Sequence, residues 1–203
     1  MSTKMYLYPV VIRVWHMINA LMFLLLIVTG LSLQYASMES EYIGFNLAIT
    51  LHNIGGIALS INYLIFIIGG LVSGNLKHYK IQMKGFWKRL AAQSRFYVFG
   101  IFKKEDAPFP ITEEMKFNPL QQFTYVLALF VGVPILIFSG WAYLFPEVVI
   151  SKIFNLSGLL VNDLVHITIG FILSIFMIIH IYLCTIGVSI KSNFKSMITG
   201  WHE

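Results

Sequence analysis

Charge is what this chain has least of. Only 11% of its 203 residues are charged, and nine of those are acidic; a soluble domain carries about 25%. A water-soluble globule of this size is therefore excluded. Cysteine is nearly absent too: Cys184 stands alone, which rules out an intrachain disulfide and any cysteine-held iron–sulfur cluster. No glycine-rich nucleotide loop and no nucleophile motif occurs, so no substrate chemistry is expected from this chain alone, and no catalytic residue is assigned. Low-complexity segments and internal repeats are missing as well.

What the chain has is apolar length. Hydrophobic residues make up 58% of it, and the mean hydropathy is +0.78. They gather in four runs, roughly Val10–Tyr35, Phe45–Val72, Phe123–Phe145 and Asp163–Val188. Each is long enough to cross about 30 Å of hydrocarbon at about 1.5 Å per residue. Backbone groups in lipid must pair within their own segment, so the runs are helices. The expected fold is all-α: one integral membrane domain over residues 1–203, a four-helix bundle. The first run is too long for the core of a signal peptide and reads as an uncleaved anchor.

Basic residues orient the bundle. Nine lie in Asn75–Asn118; Lys4 and Arg13 mark the amino end, and Lys191 and Lys195 the carboxyl end. Only Lys152 of the fourteen falls on the opposite side. The positive-inside rule then puts both termini and the long loop in the cytoplasm. The net charge of +5 is a topology signal and points to no nucleic-acid partner. The outer loops, Ala36–Gly44 and Pro146–Asn162, are too short for a catalytic domain. Within the inner loop, Lys77–Phe102 mixes Lys and Arg with Phe86, Trp87, Phe96, Tyr97 and Phe99. That mixture predicts a helix lying on the inner surface, against anionic lipid. The alternative is a solvated basic loop. Ala107–Pro110 then breaks the chain.

Four histidines interrupt the apolar runs: His16, His52, His166 and His180. An ionisable residue inside a span is costly and marks function by default. Threading the chain assigns each a depth. His16 and His180 come out near the inner face, and His52 and His166 near the outer face. His166 and His180 are 14 residues apart, about four turns, so they share one helix face roughly 21 Å apart. Two stacked histidine pairs suggest two haems, each held by axial imidazoles. Gly30, Gly55, Gly56, Gly69, Gly70, Gly132 and Gly140 supply small residues at the same levels, and Pro134 predicts a kink in the third span. Arg13, one turn before His16, is placed to pair with a haem propionate or to anchor the helix at the interface. Met17, Met22 and Met177 read as packing, and His78 and His202 as ordinary surface residues. No C-x-x-C-H is present, so any haem is not covalently attached. A proton relay or a metal path remains the alternative use of the four histidines.

At these residues the chain resembles the membrane cytochrome b subunits of bacterial respiratory oxidoreductases: the gamma subunit of formate dehydrogenase and the cytochromes b of nickel–iron hydrogenase and thiosulfate reductase. The resemblance covers essentially the whole chain. It rests on Arg13-Val14-Trp15-His16, Leu51-His52-Asn53-Ile54-Gly55, Lys116-Phe117-Asn118-Pro119-Leu120-Gln121, His166, His180-Ile181-Tyr182 and Met197-Ile198-Thr199-Gly200. It implies two b haems, the inner on His16 and His180 and the outer on His52 and His166. It also implies a site for menaquinone or ubiquinone beside the inner haem, with Asn118 and Gln121 as candidates and His180 adjoining. In the formate dehydrogenase branch a glycine stands where this chain has Leu120; the Asn-Pro-Leu-Gln form is that of the thiosulfate reductase branch. Asn118 is equally suited to capping the third span.

The expected function is electron transfer, in a multi-pass protein of the bacterial inner membrane. The electrons would pass between an iron–sulfur or cytochrome subunit on the periplasmic side and the quinone pool. Two rivals from other classes stay open: a haem-free, quinone-binding anchor, and a small transporter or metal permease.

Overall fold

A computed structural model describes residues 5–35, 43–153, 155–187 and 189–202. Lys4, most of the first outer loop and Val188 lie outside the described residues. The order of elements is β1 (Met5–Tyr6), α1 (Val10–Gln34), α2 (Phe45–Val72), α3 (Phe86–Arg95), α4 (Pro119–Leu127), α5 (Val133–Leu144), β2 (Lys152–Ile153), β3 (Leu156–Ser157), α6 (Gly158–Cys184), α7 (Ser192–Thr199) and β4 (Trp201–His202). The four membrane helices are α1, α2, α4 with α5 as one continuous span, and α6.

Unlike a soluble bundle, these spans turn large apolar side chains outward and bury several polar ones beside an apolar core. Leu21, Leu24, Ile61, Leu64, Ile172 and Ile178 are exposed, while Thr29, Asn62 and Ser139 are buried. Lipid solvates the apolar surface, and the few polar groups turn inward, where they find partners. The Asn62 amide donates to the Trp15 carbonyl at 3.2 Å and ties α1 to α2. Next to it the Trp15 ring stacks on Phe66, centroids 4.3 Å apart. Gly69 brings these helices close, because a Cβ there would sit 2.9 Å from Val11.

Two spans begin earlier than hydropathy suggests. The third starts at Pro119 rather than 123. Asn118 accepts from the Gln121 backbone N–H at 2.9 Å, and Gln121 Oε1 accepts from the Asn118 N–H at 3.2 Å. This capping box, with Pro119 at the first helical position, starts the helix in polar sequence that hydropathy does not register. The fourth starts at Gly158 rather than 163 and ends at Cys184. It springs directly from the β2–β3 hairpin. A π-helical turn at Ala128–Gly132, ending two residues before Pro134, joins α4 to α5.

In the inner loop the surface helix is shorter than Lys77–Phe102. A 3₁₀ turn over Asn75–Tyr79 precedes α3, and a π turn over Phe96–Gly100 follows it. Trp87 and Phe99 are exposed, as an interfacial helix requires, while Phe86 and Gln93 face the bundle. His78 and His202 are not ordinary surface residues. His78 is buried, and the Gln122 amide donates to its carbonyl at 2.8 Å. Burial, together with Lys116 and Lys77, lowers its pKa. His202 is half-buried in β4, its Nδ1 3.1 Å from Ser196 Oγ.

The two ends of the chain meet. β1 pairs antiparallel with β4, Met5 opposite His202 and Tyr6 opposite Trp201. An even number of spans permits this, and it puts both ends on the basic side of the bundle.

Candidate haem-binding bundle

The four intramembrane histidines meet in two pairs. The rings of His16 and His180 stand 6.2 Å apart between centroids, and those of His52 and His166 also 6.2 Å. Each pair takes one ring from the α1–α2 hairpin and one from α6. Helix α6 packs chiefly on α5, whereas α1 packs chiefly on α2. The histidines therefore face each other across the seam between two helix pairs. Among the described residues no three His, Cys, Asp or Glu side chains gather as a metal cluster.

The outer pair is held by hydroxyls. Thr29 Oγ1 donates to the Leu25 carbonyl at 2.7 Å and lies 2.9 Å from His52 Nδ1. Ser139 Oγ donates to the Ile135 carbonyl at 2.7 Å and lies 2.7 Å from His166 Nδ1. A glycine follows each hydroxyl. A Cβ at Gly30 would stand 3.4 Å from His52 Cε1, and one at Gly140 would stand 3.5 Å from His166 Cε1. The motif is the same on two helices: a hydroxyl meets the ring Nδ1, and the glycine that follows lies beside the ring edge. Beyond it, Tyr143 sets its ring edge on His166 at 5.5 Å and donates to Asp163 Oδ1 at 2.5 Å.

The inner pair is built differently. His180 Nδ1 is 3.4 Å from the Tyr125 hydroxyl, and its ring stacks on Phe176 at 5.9 Å. Among the described residues, four buried side-chain polar atoms have no partner: Arg13 Nε, Trp15 Nε1, His16 Nδ1 and Gln93 Oε1. Three of the four belong to Arg13–His16. Orphaned buried polar atoms are rare and costly, so such a cluster calls for a partner group. Another guanidinium nitrogen of Arg13 donates to the Ile198 carbonyl. Behind it the tail turns at Gly200, whose φ of +87° suits glycine. The Met197–Gly200 motif thus serves to seat Arg13.

Asn118 is engaged in the capping box, and its amide also donates to the Tyr97 hydroxyl at 2.8 Å. Gln121, Leu120, Tyr97, Tyr125 and His180 line one cavity of about 450 Å³ between the third span and α6, with mostly apolar walls. Sequence reasoning reached Gln121 and His180 but missed Thr29, Ser139, Tyr97 and Tyr125. A hydroxyl directly before glycine in a span, at the level of a histidine, was the available signal for the first two.

Residues 7–200 match the family described as prokaryotic cytochrome b561. The chain is 37% identical over 200 residues to cytochrome YdhU of Escherichia coli K12, covering 98% of this chain and 75% of that protein. It is 26% identical over 151 residues to a protein described as a Ni/Fe-hydrogenase B-type cytochrome subunit, from Rhodobacter capsulatus. That match covers 69% of this chain and 55% of the relative. No solved structure matches significantly. The chain belongs to the prokaryotic cytochrome b561 family. It is a multi-pass protein of a bacterial membrane, and the family implies b-type haem.

Proposed function

We propose that this prokaryotic cytochrome b561 is the dihaem membrane subunit of a respiratory oxidoreductase, and that it carries electrons between a redox partner at the outer face and the quinone pool. The equal separation of its two histidine pairs carries the reading. Two metal–imidazole bonds of about 2 Å, with half of each ring, sum to about 6 Å between centroids. Both pairs stand at 6.2 Å. On this reading His16 and His180 hold the inner haem, and His52 and His166 the outer. Haem supplies a one-electron carrier at each level. Gly30 and Gly140 lie beside the outer ligand rings, where a Cβ would stand at ordinary contact distance. The orphaned Nε of Arg13 and Nε1 of Trp15 suit the carboxylates of propionates at the inner level.

A quinone fits the cavity beside His180. Its 450 Å³ lies within the usual range for small-molecule sites, roughly 300–1,000 Å³. Two donors face it. Tyr97 accepts from Asn118 at its oxygen, leaving its own proton to give. Gln121 spends Oε1 on the helix cap, leaving its NH₂ to donate to a quinone carbonyl. The partner is an iron–sulfur or cytochrome subunit on the periplasmic side; likeness to a hydrogenase B-type cytochrome subunit supports a redox enzyme in that role.

The test is a reduced-minus-oxidised spectrum of the purified chain, with haem counted per polypeptide. Two b haems support the proposal. One haem would overturn the pairing, and none would leave the haem-free anchor or the permease.

A further inference from the structure

We infer that the protein poises the two centres unequally, the outer at the lower potential, and that Thr29 and Ser139 are the positioning residues that hold it there. The inference rests on the dihaem reading above. A carbonyl can only accept. Thr29 Oγ1 therefore spends its one proton on Leu25, and the 2.9 Å contact to His52 must be donated by the ring Nδ1–H. The same logic at Ser139 makes His166 Nδ1 the donor across 2.7 Å. Both outer imidazoles are thereby set in one tautomer, with Nε2 bearing the lone pair. Donation from Nδ1 also makes each ring a stronger ligand through Nε2, and a stronger ligand favours the oxidised, more positive iron.

The inner rings have weaker support. His16 Nδ1 is buried without a partner, and His180 Nδ1 reaches only to 3.4 Å from Tyr125. Fixed charge acts in the same direction. Asp163 stands one turn before His166, held by Tyr143, whereas Arg13 stands one turn before His16. Acidity beside the outer centre favours its oxidised form, and the guanidinium beside the inner centre favours its reduced form. Passage of an electron from the outer to the inner level is then downhill, the order that suits quinone reduction at the inner face.

A potentiometric titration of the purified full-length chain, followed in the visible band, tests this. Two separate waves are expected, and His16→Ala should leave only the lower. Thr29→Val and Ser139→Ala should each raise the lower wave and leave the upper in place. Thr29→Ser and Ser139→Thr, which keep the hydroxyl, should titrate as the native chain does. Because the upper wave must persist, it reports that each variant is folded and loaded. Two haems with the outer one higher, or with waves unmoved in both hydroxyl-free variants, would overturn the inference and leave the dihaem reading standing. A chain without haem would overturn both.

Discussion

His52 and His166 come from different helix pairs, yet their rings stand 6.2 Å apart, each anchored at Nδ1 by a hydroxyl one helix away. His16 and His180 repeat the separation with weaker anchoring: His16 Nδ1 has no partner, and His180 Nδ1 lies 3.4 Å from the Tyr125 hydroxyl. A bundle that sets two such gaps at two depths makes the two proposed centres separable by mutation.

His16→Ala or His180→Ala is expected to remove one haem and keep the other, halving haem per polypeptide. His52→Ala or His166→Ala should halve it as well but remove the other centre. Pyridine haemochrome assay with low-temperature spectra distinguishes the two classes. Equal loss of both haems from every single variant, in chains that remain folded, would contradict the pairing.

Asn118 caps α4 and also holds Tyr97, so substitutions there should split in their effects. Asn118→Ala should destabilise by about 1 kcal/mol through the lost cap. Asn118→Ser should recover most of that, because serine also caps. If the amide is needed to orient Tyr97, both variants should weaken binding of a quinone analogue several-fold. Thermal melts beside analogue titrations read the two effects independently.

Gly200 adopts a left-handed conformation, and a Cβ there would fall 2.7 Å from Tyr6 Cε2 and 2.8 Å from the Tyr8 carbonyl. Gly200→Ala should cost on the order of 1–3 kcal/mol and loosen the β1–β4 pairing. Faster proteolysis of the chain ends, at unchanged haem content, is the expected signature. Arg13 should lose its seat too, since its guanidinium reaches the carbonyl of Ile198 in the same turn.

His78 introduces a pH dependence. Burial, then Lys116 and Lys77, lowers its folded pKa below the ordinary value near 6.5. The unfolded chain therefore binds a proton at a pH where the folded chain does not. The stability from a neutral His78 is complete above about 6.5 and is lost as pH falls toward the folded pKa. The thermal midpoint in detergent should drop between neutral and mildly acidic pH, and His78→Gln should flatten that drop. An unchanged slope in the variant would assign the acid sensitivity elsewhere.

Much of this architecture can be read from the chain alone. Hydropathy is summed along one contiguous segment, so four spans were legible, and the lysines and arginines between them carried the orientation. Depth follows from position within a span, which is why His16 could be matched to His180 and His52 to His166 before any contact was known. The capping at Asn118 was legible for the same reason, since it depends on residues three apart.

Contacts between helices were not legible, because they depend on how each helix is rotated and how closely its neighbour approaches. Thr29 and Ser139 look like any small polar residue in a span until packing brings them to His52 and His166. His78 reads as a loop residue until the inner loop folds back over it. The seat of Arg13 exists only because the two ends of the chain pair as β1 and β4. The sequence by itself determined the spans, their direction and the levels of the histidines, because those are local sums over apolar length and charge. Tertiary structure alone decided which atoms meet each ring, because that requires segments distant in the chain to share one small volume.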